Sequence, residues 1–225
     1  QVAPAKADTA MIATLIAILD LFGLAVFAVT GALVASRKQM DIVGFALLAT
    51  VTGIGGGTLR DLLLGFSPVF WVHQPIYVLI CVAVAALVFF TAHIPESRYR
   101  LLLWLDALGL SVFCVVGADK AMEAGTGAFI AIVMGVITAT FGGLVRDVLG
   151  GEIPVILRKE IYASAALAGS AAVVGGVMAG LPTAAATFAG FAICLVIRGL
   201  ALQRGWSLPV YRARPGRSPD EIDRR

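Results

Sequence analysis

The chain has 225 residues, of which 60% are hydrophobic and 14% are charged, and its formal net charge is +3. A soluble domain carries about 25% charged residues, so this composition excludes an ordinary soluble domain and indicates an integral membrane protein. The three cysteines (Cys81, Cys114 and Cys194) lie far apart within apolar runs, which predicts buried side chains rather than a disulfide framework or a metal site.

Seven apolar runs follow one another along the chain. A helix needs about 20 mostly apolar residues to cross a bilayer, and each run approaches that length. We predict an all-α protein with transmembrane helices over residues 11–35, 42–65, 76–93, 101–118, 126–149, 161–180 and 183–202. An N-terminal tail (residues 1–10) is predicted to precede them, and a basic cytoplasmic tail (residues 204–225) to follow them.

The first three runs are repeated in the next three. Residues 19–32 and 105–118 are identical at nine of fourteen positions. The motif Gly-Gly-x-x-Arg-Asp then occurs at residues 56–61 and again at 142–147, with the same offset of 86 positions. Such an internal repeat in an apolar chain indicates a membrane protein built from two related halves, with the working site where the halves meet.

An odd number of spans in the repeat unit requires the second copy to enter the membrane upside down. We therefore predict two inverted three-helix repeats, over residues 11–97 and 98–181, related by a pseudo-two-fold axis in the membrane plane. The seventh helix, over residues 182–203, lies outside the repeat.

Basic residues predict the orientation of the helices, because cytoplasmic loops carry an excess of lysine and arginine. Nearly all of them follow the first, third, fifth and seventh runs, which places the N-terminus outside and the C-terminus in the cytoplasm. They are Arg37, Lys38, Arg98, Arg100, Arg158, Lys159, Arg198, Arg204, Arg212, Arg214 and Arg217. Five aromatic residues near predicted span ends are interpreted as interfacial: Trp71, Tyr77, Trp104, Tyr162 and Trp206.

Glycines occupy the middle of the second and fifth runs. Gly55, Gly56 and Gly57 lie in the second, and Gly142 and Gly143 lie at the equivalent place in the fifth. Because glycines let a helix kink or unwind, we predict kinks whose freed carbonyl oxygens line a cation pathway. Hydroxyl oxygens near these positions belong to Thr52, Thr58, Thr138 and Thr140. The alternative is close helix packing through small residues, with no conducted ion.

Six ionisable residues lie in or at the ends of apolar runs, where charges are expensive and usually paired. They are Asp20, Arg60, Asp61, Asp106, Arg146 and Asp147. The inverted topology predicts that Asp20 pairs with Arg60. It likewise predicts that Asp106 pairs with Arg146, and the aspartate after each arginine competes as a partner. These charges either ring the two mouths of a pathway or form buried ion pairs that lock the helices.

Lys120 is one of few basic residues on the predicted outer side, beside Asp119 and Glu123. We interpret it as a solvated loop charge, with a contact in a gate as the alternative.

These residues support a family resemblance. The segment 55–61, with its echo at 141–147, resembles the paired signature of the prokaryotic TRIC family, the bacterial and archaeal relatives of trimeric intracellular cation channels. The Asp-x-x-Gly motifs at residues 20–23 and 106–109 fit the same pattern, and the resemblance covers residues 11–202.

The resemblance implies a homotrimer in the inner membrane of a prokaryote, with seven transmembrane helices in each subunit. It also implies a potassium-permeable pore in each subunit, pinched at the kinked second and fifth helices. Phe141 stands where the first copy has Gly55, which implies a shallower second kink. Bacterial relatives are also described as candidate glycine transporters.

The predicted function is a passive monovalent-cation channel that favours potassium over sodium. The alternatives are a secondary transporter for a small zwitterion such as glycine, and a non-conducting scaffold. We expect no enzyme activity, because the chain has no Walker-type lysine, nucleophile elbow or Cys/His cluster. The expected partners are further copies of the chain, membrane lipid and permeating K⁺ or Na⁺. No resident cofactor and no nucleic acid are expected.

Overall fold

The computed structural model describes residues 6–94 and 97–209, and within them it contains helices and no strands. This part of the chain contains eight α-helices: α1 (Lys6–Arg37), α2 (Ile42–Leu64), α3 (Phe70–His73), α4 (Ile76–Thr91), α5 (Arg98–Glu123), α6 (Ala128–Leu149), α7 (Ala163–Met178) and α8 (Thr183–Arg204). A short 3-10 helix, Val155–Leu157, precedes α7.

Each of the seven apolar runs coincides with one helix, so the predicted all-α class is confirmed. Within the described residues, five helices are long and apolar enough to cross a membrane: α1, α2, α5, α6 and α8. The other two, α4 and α7, have 16 residues each and are therefore about 24 Å long, shorter than a hydrocarbon core of about 30 Å. The count of seven spans stays a prediction.

The structure differs from the predicted boundaries at four places. The first helix begins at Lys6, inside the segment predicted as a tail. The fourth long helix, α5, continues to Glu123 and therefore contains Lys120, which is not a loop residue. The helices at Phe70–His73 and Val155–Leu157 were not predicted. Arg212, Arg214 and Arg217 of the predicted tail lie outside the described residues.

Local signals fix several helix ends. Asp41 caps α2, because its carboxylate accepts a hydrogen bond of 2.8 Å from the backbone N–H of Gly44. Ser97 caps α5 in the same way through the N–H of Arg100. At the other end, α2 stops at Gly65, whose φ of +78° is readily available to glycine.

The two repeats are inverted, as reciprocal contacts between α1 and α5 establish. Gly23 packs against Phe113, and Gly109 packs against Phe27. The residue numbers rise along one helix and fall along the other, so the two helices run antiparallel. Phe27 and Phe113 are equivalent residues, and their rings meet with centroids 5.1 Å apart. Reciprocal pairs of this kind are what a pseudo-two-fold axis produces.

Large apolar side chains remain exposed around the helices, which suits a surface that faces lipid or another copy of the chain. Phe129, Phe188 and Phe90 are each more than 70% exposed. The three cysteines are free and buried, as predicted.

Candidate functional site

The second Arg-Asp motif forms a buried ion network, which we call the second network (Arg146, Asp147, Asp106 and Thr30). The Nη1 group of Arg146 donates to Asp106 Oδ1 at 2.8 Å and to Thr30 Oγ1 at 2.9 Å. Its Nε group donates to Asp147 Oδ1 at 2.9 Å. The predicted pair of Asp106 and Arg146 therefore forms, and the following aspartate shares the guanidinium.

The first Arg-Asp motif forms a different arrangement, the first network (Arg60, Asp61, Asp20, Tyr77 and Lys120). Arg60 donates from Nε and Nη2 to Asp61 Oδ1, at 2.9 and 2.6 Å. Asp20 binds Lys120 Nζ at 3.2 Å and accepts from Tyr77 Oη at 3.0 Å. The predicted pair of Asp20 and Arg60 is wrong, because the adjacent Asp61 engages Arg60 and a lysine from the other repeat reaches Asp20.

The aspartate of each motif also holds the loop that follows. Asp61 Oδ2 accepts a hydrogen bond of 2.9 Å from the backbone N–H of Phe70. Asp147 Oδ2 likewise accepts a hydrogen bond of 2.9 Å from the backbone N–H of Val155. Each carboxylate thus joins its arginine to the start of a short helix, which explains why arginine and aspartate stand side by side in both copies of the motif.

The glycines of α2 and α6 form the crossing between these two helices. A Cβ atom on Gly56 would overlap the carbonyl oxygen of Thr138, and one on Gly142 would overlap that of Thr52. The reciprocal pairs again show antiparallel helices, packed backbone to backbone. Gly55 faces the same crossing with more room, since its Cβ would lie 3.6 Å from the Cα of Gly142.

The helical assignment is unbroken through both glycine clusters, over Ile42–Leu64 and Ala128–Leu149. Neither glycine cluster unwinds its helix. The physical reason is that the missing side chains serve close approach of the two helices, and close approach favours retained helical hydrogen bonds. A bend of the helix axes stays a prediction.

The four threonines near the crossing satisfy their hydroxyl groups within their own helices. Each donates to the carbonyl oxygen four residues earlier, over 2.5 to 2.8 Å, and the donors are Thr52, Thr58, Thr138 and Thr140. Thr58 Oγ1 also accepts from Trp71 Nε1 at 3.0 Å. Their oxygens retain lone pairs that can accept a further bond.

An open cavity of about 330 Å³ adjoins the first network. Its walls include Arg60, Asp61, Phe66, Phe70, Lys120, Glu123 and Ala124. The ring of Phe70 faces two cations, with its centroid 5.8 Å from the guanidinium carbon of Arg60 and 5.9 Å from Lys120 Nζ. The second network differs, because Asp106 and Arg146 are completely buried. One network therefore borders open space and the other is sealed.

Two tyrosines and one threonine in or beside these networks are not among the predicted site residues. Tyr77 and Tyr162, interpreted as interfacial aromatics, are 8% and 3% exposed and lie beside the two networks. The repeat does not mark Thr30 as a site residue, because the equivalent residue of the second repeat is Val116. The signal that was available is the spacing of the tyrosines, which follow the two motifs at nearly equal distances.

Arg198 was counted with the cytoplasmic loop charges, but it is buried inside α8. Its Nη2 group binds Glu160 Oε2 at 2.8 Å, and its Nη1 group donates to the carbonyl oxygen of Ile161 at 3.1 Å. The arginine thus attaches α8 to the segment before α7. Over residues 6–94 and 97–209, no group of three or more His, Cys, Asp or Glu side chains could hold a metal ion.

Known proteins and a family model are similar to this chain over both repeats. A family model described as glycine transporter matches the chain twice, over residues 17–93 and 103–178, once in each repeat. A UPF0126 membrane protein of Vibrio cholerae is 41% identical over 208 residues, which cover 91% of this chain and 86% of the relative. The UPF0126 inner membrane protein YadS of Escherichia coli K12 is 40% identical, over 86% of this chain and 94% of its own.

Solved structures have the same fold. A TRIC trimeric intracellular cation channel orthologue from Rhodobacter sphaeroides is 61% identical, with a TM-score of 0.84 over 86% of this chain and all of its own. A prokaryotic TRIC channel crystallised in 0.5 M KCl is 29% identical, with a TM-score of 0.81 over 87% of this chain and 99% of that one.

Proposed function

The chain belongs to the prokaryotic TRIC family, and from that membership we propose that it is a passive channel for monovalent cations, with one pore in each subunit. The observation that carries the proposal is the 61% identity to a TRIC cation channel orthologue, across the whole length of that protein. Close similarity in sequence over both repeats supports a shared activity rather than a shared fold alone.

The proposed pathway runs between the two ion networks and past the crossing of α2 and α6. The open cavity at Arg60, Asp61 and Lys120 is the proposed entrance on one side, with charged side chains in its wall. At the centre, Gly55 faces the crossing with more room than its neighbours, and carbonyl and hydroxyl oxygens near it are proposed to replace water around a cation. In the present conformation the sealed second network closes the other side.

We propose that K⁺ is favoured over Na⁺. The oxygens near the crossing belong to neutral carbonyl and hydroxyl groups, and such groups favour the cation that gives up its hydration water more readily. Lys120 is proposed as the gate residue, because its contact with Asp20 lies beside the entrance.

The protein is proposed to be a homotrimer in a prokaryotic inner membrane, with the N-terminus outside and the C-terminus in the cytoplasm. The assembly is supported by the similarity to the trimeric intracellular cation channel orthologue of Rhodobacter sphaeroides and by the exposed apolar helix faces. The basic residues at the ends of α1 and α8 and at the start of α5 support the orientation: Arg37, Arg204 and Arg98. Native mass spectrometry tests the trimer, and C-terminal reporter fusions test the orientation.

Recording from single purified proteins in planar bilayers tests the proposed activity. We expect unitary currents in symmetrical KCl that fall when NaCl replaces KCl. The alternative, secondary transport of glycine, is supported by the description of the family model. Saturable glycine counterflow in proteoliposomes without unitary currents would favour that alternative and overturn the channel.

A further inference from the structure

Three buried side chains in or beside the second network each have one polar atom without a hydrogen-bond partner. They are Asp106 Oδ2, Arg146 Nη2 and Tyr162 Oη, none of which has a partner among the described residues. Asp106 and Arg146 are completely buried and Tyr162 is 3% exposed. A buried polar group without a partner is destabilising, so three such groups in one place call for an explanation.

All three side chains face the space beside Gly143. A Cβ atom on this glycine would lie 3.1 Å from Tyr162 Oη, 3.5 Å from Arg146 Nη2 and 3.5 Å from Asp106 Oδ1. Two of the three unpaired atoms, Tyr162 Oη and Arg146 Nη2, therefore lie around this glycine, together with the carboxylate that carries the third, Asp106 Oδ2. In the first repeat, the equivalent Gly57 faces carbon atoms of the Phe70 ring instead.

The chemistry of the three atoms restricts what can fill this space. Arg146 Nη2 can only donate a hydrogen bond, Asp106 Oδ2 can only accept one, and Tyr162 Oη can do either. A metal cation cannot accept from the arginine, and an anion cannot donate to the carboxylate. We infer that the space beside Gly143 is a binding site for one buried water molecule, which accepts from Arg146, donates to Asp106 and bonds to Tyr162.

The first repeat shows why a mediator is needed in the second. There Tyr77 Oη donates directly to Asp20 Oδ2 at 3.0 Å. Tyr162 occupies the corresponding place but makes no such bond to Asp106. Buried waters typically make about three hydrogen bonds to groups that would otherwise be unpaired, which is the number of partners available here. The site does not depend on which solute crosses the membrane.

Two phenylalanine substitutions test the inference by the sign of their effect. Tyr162→Phe removes a hydroxyl that bonds to the water, so the apparent melting temperature of the protein in detergent should fall by about 2–4 °C. Tyr77→Phe is the matched control, because the Tyr77 hydroxyl that it removes bonds directly to Asp20. Its melting temperature should fall by a similar amount. An unchanged or raised melting temperature for Tyr162→Phe would overturn the water site, because removal of a truly unpaired buried hydroxyl relieves a cost.

A second measurement needs no variant. A density map of the wild-type protein at about 2 Å resolution should show a peak within about 3.2 Å of the three polar atoms. A map of that quality with no peak there would overturn the inference.

Discussion

Lys120 of α5 binds Asp20 of α1, and this contact is where the two repeats differ most clearly in charge. Its Nζ group lies 3.2 Å from Asp20 Oδ2, whereas the equivalent residue of the first repeat, Val34, is apolar. In the first network two cations therefore balance two carboxylates. In the second, Arg146 faces the carboxylates of both Asp106 and Asp147, which leaves one negative charge.

The charge difference predicts the effect of Lys120→Gln. The first network would then carry one net negative charge beside the open cavity, so it should attract cations more strongly. We expect the unitary K⁺ conductance to rise, by up to about fivefold for an interaction of about 1 kcal/mol. The matched control is Lys38→Gln, which removes the same charge from the exposed turn after α1. Equal conductance in the two variants would show that Lys120 has no specific role at the entrance.

The helix crossing predicts opposite outcomes for two adjacent glycines. Gly56→Ala should prevent folding, because its Cβ would overlap the carbonyl oxygen of Thr138. Gly55→Ala should fold, since its Cβ would lie at an ordinary 3.6 Å from the Cα of Gly142. Size-exclusion chromatography of the two detergent-solubilised variants measures the difference. A Gly56→Ala protein as stable as the wild type would contradict the backbone contact seen here.

Gly55→Ala also tests the proposed pathway, because unitary currents can be recorded from a variant that folds. Its added methyl group enters the space between α2 and α6, so the proposed pathway predicts a lower unitary conductance. An unchanged conductance would place the pathway away from this crossing.

The repeat made much of this fold predictable. The match between the halves predicts the inversion, and the Arg-Asp motifs mark the positions of both ion networks in the sequence. The pair of Asp106 and Arg146 followed from the same symmetry and forms. Its counterpart, Asp20 with Arg60, failed because Lys120 replaces an apolar residue of the other copy, and symmetry cannot predict a difference between the copies.

Two other features escaped prediction for local reasons. The loop after the second motif is one residue shorter than the loop after the first. Asp147 accepts a hydrogen bond from the backbone N–H of Val155, eight residues later, whereas Asp61 accepts one from Phe70, nine residues later. The tyrosines of the two networks are consequently 85 positions apart rather than 86, which hid their equivalence. The glycine clusters were interpreted as interruptions because a glycine that allows close packing and one that breaks a helix look alike in sequence.

The two arginines should differ in what their loss costs. Arg146→Gln leaves two carboxylates buried without their cation, and breaking a buried pair costs about 3–5 kcal/mol. Arg60→Gln leaves only Asp61 without its cation, because Lys120 still neutralises Asp20, and the first network borders an open cavity. The apparent melting temperature in detergent should fall by about 10 °C for Arg146→Gln, and by less than that for Arg60→Gln. Equal falls would contradict the contrast between a sealed and an open network.

Arg198 should matter for holding α8 against the repeats. Because this helix lies outside both copies, no symmetry-related contact supports it, and the buried arginine joins it to Glu160 and to the Ile161 carbonyl. Arg198→Gln should therefore lower the apparent melting temperature more than Glu160→Gln. The Glu160 side chain is 32% exposed, and loss of its charge leaves the hydrogen bond from Arg198 to the Ile161 carbonyl in place. Arg204→Gln, at the exposed end of the same helix, is the control and should change stability by less than about 0.5 kcal/mol. If Arg198→Gln and Arg204→Gln behaved alike, the attachment of α8 would have to come from apolar packing alone.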